Sequence, residues 1–73
     1  MTHDIPEEVK NSNLEYCITE YVRLESHRAI LRDRWFLGLT IEQLADKYYL
    51  SDTRLKDIVY GIGDRILLKA AKM

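Results

Sequence analysis

One cysteine, one proline and three glycines are all that this 73-residue chain holds of the residue types that staple, kink or loosen a backbone. A lone Cys17 closes no internal disulfide, and its spacing from His3 and His27 matches no metal site. With so little Pro and Gly, and with 47% hydrophobic and 32% charged residues, the chain is neither low-complexity nor disordered along its length. Long apolar runs are missing as well. Nothing approaches the roughly 20 residues of a membrane span, and residues 1–10, with Asp4, Glu7 and Glu8, suit neither a signal peptide nor an anchor. The expected setting is the reducing cytoplasm, with no membrane, metal or cofactor. Catalytic signatures are lacking too: no Gly-rich phosphate loop, nucleophile elbow or His-rich metal motif occurs, so no enzyme is expected.

A charge excess is also lacking, the formal net charge being −1. Its distribution is uneven. Residues 1–40 hold five basic against seven acidic side chains, whereas 51–73 hold Arg54, Lys56, Arg65, Lys69 and Lys72 against Asp52, Asp57 and Asp64. A surface for a polyanion, which must replace condensed counterions with Lys and Arg, is therefore expected in the C-terminal segment.

What the chain does have is helical periodicity, with no strand-like alternation of useful length. The pattern predicts an all-α fold, a small bundle of about five helices: a polar leader over 1–12, then one domain over 13–73. A first helix, 13–24, is capped from Asn11, Ser12 or Asn13 and turns Leu14, Cys17, Ile18, Tyr21 and Val22 inward. Ser26 caps a second, 26–37, with Ile30, Leu31, Trp35 and Leu37 on its apolar face and Arg28, Arg32 and Asp33 in water. Gly38 ends it. Thr40 and Gln43 form a capping-box pattern at the start of a third, 41–48, which buries Ile41, Leu44, Ala45 and Tyr48. Ser51 caps a fourth, 52–60, with Leu55, Ile58 and Val59 inward. Gly61 and Gly63 then interrupt the chain, and Asp64 caps a fifth, 64–72, with Ile66, Ala70 and Met73 on one side.

The stretch from Thr40 to Tyr60 is the most informative. Two short helices about three residues apart must cross steeply, and the small Ala45 permits the close approach. Leu44, Leu50, Leu55 and Ile58 supply the seam, which holds the outer face of 52–60 toward a major groove about 12 Å wide. The candidate DNA-binding residues are Ser51, Thr53, Arg54, Lys56, Asp57 and Tyr60, with Arg54 and Lys56 facing the DNA and Tyr60 offering a hydroxyl to phosphate. Tyr49 occupies the turn, where the wider helix-turn-helix pattern often has Gly because the backbone needs positive φ. Either the turn is built differently or Tyr49 is strained.

The run Ile30-Leu31-Arg32-Asp33-Arg34-Trp35 through Gly38-Leu39-Thr40-Ile41-Glu42-Gln43-Leu44-Ala45 resembles the fourth region of bacterial sigma factors, a pattern shared by small phage regulators. Trp35, Gly38, Thr40, Glu42, Leu44 and Ala45 carry the likeness, which covers about residues 26–60. It implies a helix-turn-helix in which Ser51 is the capping hydroxyl, Arg54 and Lys56 are DNA-facing, and Leu55 and Ile58 are core. The expected function is that of a sequence-specific double-stranded DNA-binding transcription regulator, with 52–60 as the recognition helix. Two other readings stay open: a protein-binding module of the same fold that docks on RNA polymerase or another regulator, favoured by the low net charge and Asp52, and a phage DNA-packaging or recombination accessory protein. A homodimer is expected, because one face of the last helix cannot take Leu67 and Leu68 inward with Ile66, Ala70 and Met73. Paired half-sites about 34–36 Å apart would add base contacts.

Overall fold

The computed structural model describes residues 9–73, and residues 1–8 of the expected leader lie outside that range. Among the described residues all regular structure is helical: α1 Asn11–Tyr21, α2 Glu25–Phe36, α3 Ile41–Tyr48 and α4, which runs without a break over 52–71. The helix count is four, not five. The last helix comprises an α-helical turn, Asp52–Lys56, a wider π-helical stretch, Asp57–Ile62, and a regular α-helix, Gly63–Ala71. Gly63 has helical angles (φ −58°, ψ −42°), so the two glycines do not interrupt the chain and Asp64 caps nothing.

The wide turn follows from the buried stripe. Leu55, Val59, Gly63, Ile66 and Ala70 are all buried, a spacing of about 3.75 residues per turn over four turns, against about 3.6 for a regular helix. A π-turn takes up the surplus residue and keeps the stripe facing inward. Gly63 fits closely where it stands: a Cβ there would lie 3.1 Å from Trp35 Cζ2 and 3.3 Å from Leu31 Cδ2, so those side chains would have to give by a few tenths of an ångström.

Two apolar clusters make the core, and α2 belongs to both. Leu31 and Trp35 pack with Val9, Leu14, Cys17, Ile18, Val22, Ile66 and Ala70, with Phe36, Ile62 and Leu67 at the edge. Ile30, on another side of α2, packs with Leu44, Leu55, Ile58 and Val59, flanked by Ile41, Ala45, Tyr48 and Leu50. Trp35 is fully buried, and its Nε1 finds no hydrogen-bond partner among the described residues. Cys17 is likewise fully buried. Desolvation raises its thiol pKa, a rise that the Lys69 charge only moderates, so it behaves as a small apolar residue.

Several boundaries and faces differ from expectation. The first helix starts at Asn11, within the expected leader, and ends at Tyr21; its N-cap is Lys10, with no side-chain cap. The second starts at Glu25 behind Leu24, so Ser26 is not its cap. There Arg28 Nε donates to the Val22 carbonyl at 2.5 Å and ties the α1–α2 corner instead. Tyr21, Leu37 and Met73, expected inward, are 52%, 67% and 62% exposed. Tyr21 and Leu37 sit at helix ends, where the chain turns off the core. Asp33 departs in the opposite sense: expected in water, it is buried. No described helix is long and apolar enough to cross a membrane.

Candidate nucleic-acid interface

Local chemistry fixes the α3–turn–α4 unit at each joint. Gly38, at φ 74°, ends α2 in the left-handed region. The Thr40 hydroxyl accepts from Gln43 N–H at 3.1 Å while Gln43 Oε1 accepts from Thr40 N–H at 2.8 Å, a complete capping box at the start of α3. Tyr49 ends α3 at φ 57°, ψ 42°, so the turn has the left-handed geometry and a tyrosine bears it. Ser51 then caps α4, its hydroxyl accepting from Arg54 N–H at 3.1 Å.

A polar clamp holds α3 against α2. The Asp33 carboxylate accepts from Lys47 Nζ at 2.7 Å and from the Tyr48 hydroxyl. Burial disfavours the charged carboxylate, but these two hydrogen bonds and the Lys47 charge outweigh it and hold the Asp33 pKa below its ordinary value. Its partners move the other way. The hydrogen bond to Asp33 raises Lys47, while burial and then the hydrogen bond to Asp33 raise Tyr48. Sequence reasoning missed this clamp, although one signal was present: Asp33 lies three residues after Ile30, on the stripe that meets α3.

The first turns of α4 rest on this platform through Leu55, Ile58 and Val59, and their outer face is open. Ser51, Thr53, Arg54, Lys56, Asp57 and Tyr60 are all exposed. At about 100° per residue, Thr53 and Asp57 lie opposite the buried stripe, with Arg54 and Lys56 on its two flanks, and the wider turn from Asp57 on carries Tyr60 to the Lys56 flank. The two cations therefore bracket the face rather than occupy its centre. Neither pairs with a carboxylate among the described residues. Tyr60 is 43% exposed, and its hydroxyl lies 3.5 Å from Arg34 Nη2, whose guanidinium also donates to the Leu39 carbonyl at 2.9 Å. Asp52 sits in the first turn, where a carboxylate suits the positive end of the helix dipole.

No group of three or more His, Cys, Asp or Glu among the described residues is arranged to hold a metal ion. No family model, curated protein or solved structure matches the chain.

Proposed function

We propose that the protein is a sequence-specific double-stranded DNA-binding transcription regulator that acts through a helix-turn-helix made of α3, the turn at Tyr49 and the first half of α4. The observation that carries this reading is the open face of α4: Thr53 and Asp57 lie outward between Arg54 and Lys56, with Tyr60 exposed on the Lys56 flank, while Leu55, Ile58 and Val59 brace the same turns from behind. Such a face enters a major groove with its centre on base edges and its flanks toward the strands. Asp57, at the centre, suits the amino group of cytosine; Arg54 is long enough to reach inward from its flank to guanine, and Lys56 and Tyr60, on the other flank, reach phosphates.

The test is titration of a mixed-sequence duplex at low and moderate salt, followed by selection from a random duplex pool. A DNA-binding module gives affinity that falls as salt rises and a selected sequence that contains C or G opposite Asp57 and Arg54. A salt-independent signal, or a pool without enrichment, refutes the reading. The protein-docking alternative draws on one observation, the exposed Asp52, Asp57 and Asp64 along α4, which oppose phosphate. It predicts no duplex binding at either salt concentration.

A further inference from the structure

At the far end of the molecule from the α3–α4 turn, the α1–α2 corner and the second half of α4 enclose an open groove of about 420 Å³. Its floor is apolar: the half-buried Ile62 faces it over the core residues Val22 and Ile66, and Leu24 stands beside it more than half exposed. Its rim is cationic. Arg23 rises from the corner and Arg65 and Lys69 from α4, and no carboxylate among the described residues lines the space. Neither arginine is in an ion pair among the described residues, and Lys69 contacts only the face of the Tyr21 ring, 4.4 Å from its centroid. A groove whose three cations have no counter-charge among the described residues, set around an exposed leucine, complements a ligand that is both apolar and acidic.

We propose that this groove docks an acidic amphipathic peptide segment of a partner protein, its apolar side chains on Leu24 and Ile62 above the buried Val22 and Ile66, and its carboxylates on Arg23, Arg65 and Lys69. A peptide fits better than a nucleic acid. A phosphate backbone has nothing to place on the apolar floor, and Lys69 already covers the Tyr21 ring face on which a base would stack. An amphipathic helix, by contrast, presents an apolar row edged with carboxylates, the arrangement that helix-in-groove recognition uses. The site stands apart from the open face of α4, since Arg65 lies about 16 Å along the helix from Arg54.

The test is a ¹H–¹⁵N titration with a twelve-residue peptide of Leu and Glu whose leucines fall at helical i, i+3, i+4, i+7 spacing. The expected result is a saturable shift at Val22, Leu24, Ile62 and Ile66, with Thr53 and Arg54 unmoved. Changing every Glu of the peptide to Gln weakens binding by about tenfold, as does the Arg65→Glu, Lys69→Glu double variant. The amide spectrum of that variant reports its fold, and the exposed Leu24→Glu replaces it should the fold be lost. Absence of saturation, equal binding of the Gln peptide, or displacement of the peptide by a mixed-sequence duplex at these residues would each overturn the proposal. The proposal does not depend on DNA binding: Arg54→Ala, which weakens the duplex complex under the reading above, leaves peptide binding unchanged.

Discussion

Replacing Tyr49 by glycine should make the protein more stable. Tyr49 has φ 57° and ψ 42°, where an L-residue sets Cβ against the following carbonyl at about 1–2 kcal/mol, and its side chain is 93% exposed. The ring therefore contributes almost no burial that the substitution would forfeit. Glycine adopts the left-handed region freely but adds about 0.5–1 kcal/mol of unfolded-chain entropy, so the net gain is about 0.5–1 kcal/mol. In a domain of this size that raises Tm by about 2–8 °C. Thermal melting followed by circular dichroism measures it, with Tyr49→Ala as the control. Alanine removes the ring but keeps the Cβ that causes the strain, so its Tm should stay near that of the parent. A glycine variant that melts at or below the parent, or an alanine variant that gains as much, would show that the turn is unstrained and refute the argument.

Arg54→Ala should weaken specific duplex binding by about 1–3 kcal/mol and relax base preference, measured by competition among selected sequences, whereas Lys56→Ala should weaken all sequences evenly. Gly63→Ala should lose about 1 kcal/mol, since crowding against Trp35 and Leu31 exceeds the gain in helix propensity, whereas Gly61→Ala, with nothing within 4 Å, should gain about 0.5–1 kcal/mol; urea midpoints decide both. Because folding lowers the Asp33 pKa, its contribution is present above the ordinary aspartate value of about 4 and is lost as pH falls through the lower folded value. Urea midpoints between pH 7 and pH 2.5 should therefore fall less steeply in Asp33→Asn, and an equal slope would remove Asp33 from the account. Leu67 packs on the core but Leu68 and Met73 are each 62% exposed, so sedimentation equilibrium at micromolar concentration should give a mass above the 8.6 kDa monomer, restored to it by Leu68→Lys.

Features set by a few neighbouring residues were legible in the chain. The Thr40–Gln43 box, the Ser51 cap and the Gly38 stop each depend on atoms within three or four positions, and all three form. The inward rows follow from periodicity alone: Leu55, Ile58 and Val59 of α4 are buried as expected, whereas in α3 only Leu44 is fully buried and Ile41, Ala45 and Tyr48 are half-buried beside it. The burial of Asp33 was not legible in the same way, because it depends on Lys47 and Tyr48, which reach it only after α3 docks on α2. Nor was the continuity of α4. Gly61 and Gly63 have the composition of a break, but the close fit of Gly63 against Trp35 gives the second glycine a packing reason that only the folded chain supplies. At the candidate interface, the exposure of Arg54 and Lys56 followed from the helix pattern, whereas the central position of Thr53 and Asp57 became plain only once the buried stripe was located.

The wide turn over Asp57–Ile62 also makes α4 unusually forgiving of a change in chain length. Deleting one residue there, Gly61 being the simplest choice, would leave the five buried positions spread at about 3.5 per turn, as near to the regular helical repeat of about 3.6 as the present spacing. The shortened helix would still offer one unbroken apolar stripe to both clusters. Elsewhere in the helices a single deletion swings every later side chain through about 100° and scrambles the core. A homologue one residue shorter in this segment is thus compatible with the same architecture, and the surplus residue reads as an insertion the helix absorbed without surrendering either half of its packing.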